Sequence, residues 1–181
     1  MIAYKALCAG GRAPISGYAW PRPATGAPGP WVVGRPSRAM CRDAVHGCRA
    51  ADLPWWLQAE LWEAEFDGPI AIGRHKISAP RARLLRRVDA WDAACARRFA
   101  GACADRAAEH SAAARRHAGR DRARIAERLA EDAARCAREG DAIVTAYIAA
   151  HVAARTVGPD AMTAERAWQA AWLRAELGLR A

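Results

Sequence analysis

The sequence predicts an α+β fold: a small β-rich N-terminal unit (residues 1–79) packed against a C-terminal bundle of three to four helices (residues 80–181). Up to residue 79, apolar residues come in short runs of period two, interrupted by proline and glycine. From Ser78-Ala79-Pro80 onward, alanine and arginine dominate and apolar residues recur every three or four positions. Gly119, Gly140 and Gly158-Pro159 then divide the second half into helix-sized segments.

Ile2 to Leu7 reads as an opening strand. The tract that follows, as far as Trp31, is too rich in proline and glycine for a regular element. Tyr18, Trp20 and Trp31 are its expected anchors. Trp31 to Val33 and Ala44 to Cys48 are short strand candidates. Asp52 is placed to cap a short helix containing Leu53 to Leu57, with Pro54 tolerated near its start. Leu61 to Phe66 alternates, which puts Glu63 and Glu65 on the solvent side of a half-buried strand. Ile70 to Ile72 and Lys76 to Ser78 add further short strands.

In the second half, Leu84, Val88, Trp91, Cys95, Phe99 and Cys103 form one helical stripe with the neighbouring arginines turned away from it. Ile125, Leu129 and Cys136 carry a second stripe. Asp141 caps a third helix through Ile143, Val144, Tyr147, Ile148 and Val152. Asp160 or Thr163 caps a fourth, which holds Trp168, Trp172, Leu173 and Leu177 and stops before Gly178.

The net charge is +9, and of 28 basic residues only Lys5 and Lys76 are lysines. Such an arginine and alanine excess is what a GC-rich coding sequence produces. A basic chain also suits nucleic acid or anionic surfaces, but the charge signs alternate along the second half, as on a solvated helix face. The six cysteines do not form the pattern of a small disulfide scaffold. Neither a secretory apolar segment nor a run of about 18 apolar residues is visible, so a cytoplasmic location without a membrane partner is expected.

Chemistry-bearing residues concentrate around His46. Cys41, His46 and Cys48 form C-x4-H-x-C, residue types that bind zinc, although a structural site would need a fourth ligand. Buried cysteines beside a hydrogen-bonded histidine are the favoured reading, and no metal or other cofactor is expected. His46 is the single candidate for a chemical role. Tyr4, Tyr18, Trp20 and His46 are the expected lining of any ligand pocket between the long loop and the His46 strand. Arg120, Arg124 and Arg128 recur at i, i+4 and i+8 and form a candidate phosphate-facing stripe. His110 and His117 read as solvated or rim residues, and neither dinucleotide nor P-loop glycine motifs occur.

The segment V-H-G-C-R-A-A-D-L-P-W-W-L, followed by E-L-W-E-A-E-F-D-G, resembles uncharacterised actinobacterial proteins of unknown function, over roughly residues 1–70. That resemblance implies no activity. The order strand, short helix, Glu-rich alternating strand is also similar to part of the ADP-ribosyltransferase-like fold. That likeness implies a dinucleotide site built from Arg or His, a hydroxyl residue and Glu; here Tyr4-Lys5 stands in place of the Arg or His, so those roles are not transferred.

With no complete catalytic set and with many Trp and Arg residues, a non-enzymatic interaction or regulatory module is the leading expectation. The alternatives are a ligand-binding or enzymatic pocket near His46 and nucleic-acid binding through the Arg-rich helices. The identity of a protein partner and the oligomeric state are not encoded in any motif of the sequence.

Overall fold

In the computed structural model, residues 1–34 and 44–180 are described. The chain forms two compact units, Met1–Trp91 with Leu179 and Arg180, and Asp92–Gly178. The first carries β1 (Ile2–Leu7), β2 (Val32–Val33), β3 (Val45–Gly47), a 3-10 helix (Ala50–Trp55), β4 (Glu60–Asp67), β5 (Ala71–Ile72), β6 (Ile77–Ala79) and β7 (Arg81–Arg87). The second carries α1 (Ala93–His117), α2 (Arg120–Glu139), α3 (Ala142–Val157) and α4 (Pro159–Leu177). The α+β class holds, with the unit boundary after Trp91 rather than at residue 79.

That shift corrects the largest sequence expectation. Arg81–Arg87 is a strand, not the first turns of a helix, and α1 starts only at Ala93, capped by the Asp92 carboxylate accepting from Cys95 N. Leu84 of R-A-R-L-L-R-R fits a helical period with Val88 and Trp91 beyond it, but Arg81, Ala82, Arg83 and Leu84 also alternate. Tertiary pairing decides between them. β4 presents Asp67, Glu65 and Glu63 opposite Arg81, Arg83 and Arg86. Each arginine Nε donates to its carboxylate, at 2.7, 2.8 and 2.8 Å in that order. A register shift between Glu63 and Ala64 inserts one residue into β7, so Leu84 faces the core while Arg86 still meets Glu63. Glu63 is buried in this pairing rather than solvent-facing.

The strands form a four-stranded sheet, β1-β4-β7-β2, and a three-stranded sheet, β3-β6-β5, joined at two points. β1 pairs β4, β4 pairs β7, and β6 pairs β3, all antiparallel. β6 and β7 are one path bent at Pro80. Tyr4 and Cys48 exchange both backbone hydrogen bonds at 2.9 Å, which joins β1 to the end of β3. The ring β3–β1–β4–β7–β6 thus encloses Leu7, Trp20, Val45, Trp62, Phe66, Ile77 and Leu84. Closure depends on Gly47: a Cβ there would lie 2.2 Å from the Phe66 ring and 2.8 Å from Tyr4 O.

Other expectations on the first unit fall into place around this ring. The long tract has no regular element, and Trp20 and Trp31 hold it. Trp20 is in the core, while Trp31 lies under the Arg81 and Arg83 guanidiniums, at 4.7 and 4.5 Å. Glu60, buried, also fixes it, accepting from Gly10 N, Arg22 and Trp62 Nε1. Asp52 does not cap the 3-10 helix. It sits inside the first turn, and its carboxylate accepts from Arg49 Nε at 2.6 Å.

In the second unit, alanine lets the helices approach closely: Ala107 and Ala114 of α1, Ala126 and Ala133 of α2, and Ala149, Ala150 and Ala153 of α3 are all fully buried. Gly119 separates α1 from α2, and Asp141 caps α3 by accepting from Val144 N, both as expected. α4 begins earlier than Asp160 or Thr163 would set it, at Pro159 after Gly158, because proline at the first helical position needs no amide partner. No helix among the described residues is long and apolar enough to cross a membrane.

One charged node lies inside this unit. Glu165 of α4 is buried and accepts from Arg106 Nε and Nη2 of α1 at 3.1 and 2.9 Å. His110 Nε2 lies 2.8 Å from the same oxygen, so His110 is a partner of a buried acid and not a solvated rim residue. Burial alone would raise the Glu165 carboxyl, but the hydrogen bonds from His110 and Arg106 outweigh it and hold the carboxyl below its ordinary value.

The packing and this node each have a measurable consequence. Gly47→Ala should destabilise the protein by about 1–3 kcal/mol through overpacking, whereas Gly101→Ala, in open space on α1, should stabilise it by roughly 0.5–1 kcal/mol; urea titrations read both. Glu165→Gln should lower stability at neutral pH and flatten its acid limb. A depressed carboxyl contributes stability above its unfolded value, about 4.3, that disappears as pH falls through the folded value. An unchanged acid limb in the variant would count against the node as its source.

Candidate functional site

A cleft of about 370 Å³ opens on the first unit. β1 contributes Tyr4, Lys5 and Ala6, and β3 with its extension contributes His46, Gly47 and Cys48. The loop residues 13–16 form another wall, and Trp56 and Lys76 complete it. The walls are largely apolar. Among the described lining residues none is acidic, while Lys5, Lys76 and His46 bring basic groups.

Lys5 is the unusual member. Alternation along β1 puts it on the same face as Ala3 and Leu7, both in the core. Its cross-strand neighbour is Trp62. The Nζ donates to His46 O at 2.7 Å and sits 4.9 Å above the Trp20 ring. No carboxylate lies within ion-pair distance of it among the described residues. Burial therefore lowers the amine to about 8, with the nearby Cys48 opposing the shift. A carbonyl dipole and a ring face satisfy the ammonium geometrically without replacing its lost hydration.

The expected ligand residues separate. Tyr4 and His46 both border the cleft. Tyr4 points its hydroxyl at the chain end, where it accepts from Arg180 N at 3.0 Å, and burial raises it above the ordinary phenol value. Trp20 lies beneath Lys5 rather than on the wall. Tyr18 is exposed, edge-on to Trp20, and outside the lining. Of the zinc alternative Cys41, His46 and Cys48, Cys41 falls outside the described residues. The Cys48 thiol is buried and pushed up to about 12, so it stays protonated at neutral pH. No group of three or more potential metal ligands occurs among the described residues.

The arginine stripe is real as a surface: Arg120, Arg124 and Arg128 are exposed on α2. Asp121, Glu127, Glu131 and Asp132 share that helix, and Glu127 pairs with Arg115 at 3.0 Å. Sequence reasoning missed Lys5, Lys76, Trp56 and residues 13–16. One signal was present: in a chain that otherwise uses arginine, the only two lysines line the same cleft.

The Lys5 environment should show in the pH dependence of stability. Its folded value is depressed, so between about pH 8 and about pH 10.4 the unfolded chain holds a proton that the folded chain has lost. Lys5 therefore adds a positive contribution to the slope of unfolding free energy against pH across that window, opposed by the buried Cys48 and Cys103 thiols whose folded values are raised, and the stability of wild type relative to Lys5→Met should rise with pH. Equal slopes in both proteins would show that Lys5 is not desolvated.

Comparison with protein-family models, with curated proteins and with solved structures found no match to this chain.

Proposed function

We propose that the first unit is a small-molecule-binding domain whose site is the Lys5 cleft. The observation that carries this reading is the placement of both lysines of an arginine-rich chain on the walls of one formed cleft. Arginine stays charged under all conditions, whereas lysine supplies a compact amine whose protonation responds to burial. The apolar walls and basic groups suit a small ligand with an apolar body and an oxygen-bearing or anionic head. The volume is at the small end of ligand pockets, which favours a compact ligand.

The reading stands ahead of an interaction module because the tryptophans, the chief sign of an interface, have internal partners. Trp62 is in the core, Trp56 Nε1 donates to His75 O, and Trp55 stacks on His75 at 4.1 Å. Trp91 Nε1 donates to Gln58 O, Trp168 lies under Arg106, and Trp172 packs on Phe99. With Trp20 and Trp31 already accounted for, none of the eight is among the exposed large side chains.

Backbone NMR titration with acetate, inorganic phosphate, pyruvate and butanal tests the proposal. At least one should shift amides of residues 4–6, 13, 15, 16 and 46–48, and Ser16→Trp, a substitution at an exposed rim position, should weaken that response. Shifts confined to other regions, or no shifts with any of the four, would refute the cleft as a ligand site.

A further inference from the structure

We propose that Lys5 is a carbonyl-reactive amine that forms an imine with a small aldehyde or 2-oxo acid admitted to the cleft. This deepens the ligand-site reading above and rests on it. Three observations carry it. Lys5 lines the cleft although its position in β1 belongs to the core-facing row, between Ala3 and Leu7. Among the described residues its Nζ has a single hydrogen-bond acceptor, the His46 carbonyl, and no carboxylate to hold it as an ammonium. Ala6, Ala13, Pro14 and Trp56 make the surrounding wall apolar, which disfavours the charged form and leaves a neutral, nucleophilic fraction near neutral pH. An arginine would stay protonated and could not supply that lone pair.

The step balances without an external oxidant or reductant. The Nζ lone pair forms a bond to the carbonyl carbon, and the carbonyl π pair moves to oxygen. Proton transfer from nitrogen to oxygen gives the carbinolamine. Loss of that hydroxyl with a second nitrogen proton releases one water and leaves the C=N bond. The alternative nucleophile on the wall, Cys48, is held as a thiol by burial and is not suited to compete.

The wild-type protein itself provides the test, because Lys5 and Lys76 are its only lysines. The protein is incubated separately with pyruvate and with butanal, each with sodium cyanoborohydride, and peptide mapping locates the reduced adduct. Lys5 should be modified ahead of Lys76 and of the Met1 amine, with at least a tenfold rate advantage. A faster reaction with pyruvate than butanal assigns the site to 2-oxo acids, and the reverse to neutral aldehydes. Lys76→Met should retain the Lys5 adduct, which separates chemistry from general loss of the fold. Lys5 left unmodified while the same compounds still shift cleft amides would overturn the imine and leave the ligand site standing. Lys5 unmodified with no amide shifts would overturn both, as would preferential labelling of Lys76 accompanied by no cleft response. Preferential labelling of Lys76 or Met1 with cleft shifts present would overturn the imine alone.

Discussion

The amine of Lys5 sets the terms for the first unit. It extends from the inward row of β1 into a ring of strands, where an unpaired charge is costly and water cannot follow freely. The protein meets this cost with a carbonyl dipole, a tryptophan face and an opening to solvent, and not with a carboxylate of the described residues. The three features require one another. The carbonyl belongs to β3, so β3 must lie beside β1. That is achieved by the paired hydrogen bonds of Tyr4 and Cys48 and by the missing side chain of Gly47 against Phe66. Trp20 must reach under β1 from the long loop, which Glu60 ties down through Gly10 and Arg22.

The carboxylates of β4 show how differently the fold accommodates acids and bases. Glu63, Glu65 and Asp67 each face an arginine of β7, and Asp52 faces Arg49. Even the Glu165 node in the helical unit is matched by Arg106 and His110. Arginine is suited to such pairs by its planar fork of donors. Lysine is used nowhere in these pairings. Lys5 takes no part in them and lines the cleft instead, which gives it its chemical interest.

The fold was legible where local signals were unopposed. Ile2–Leu7, the proline-rich tract, Gly119 and the Asp141 cap follow from turn and capping chemistry. It was not legible at Arg81–Arg87, where two periods coexist in seven residues and the β4 acids choose between them. Asp52 misled for a related reason: the side chain that caps a helix also pairs with an arginine three residues before it. The site was half legible. His46 and Tyr4 stood out by residue type. Lys5 did not, because both faces of I-A-Y-K-A-L are buried, Ala3 and Leu7 on one side and Tyr4 and Ala6 on the other, and nothing in the sequence tells which face joins the core between the strands.

The central claim, that Lys5 is a desolvated amine on a ligand cleft, is tested most directly by its own titration. With 13Cε-labelled lysine the protein gives at most two resonances, and Lys5→Met identifies which belongs to Lys5. A Lys5 midpoint of about 8 is expected. A midpoint at the ordinary lysine value, about 10.4, would contradict it.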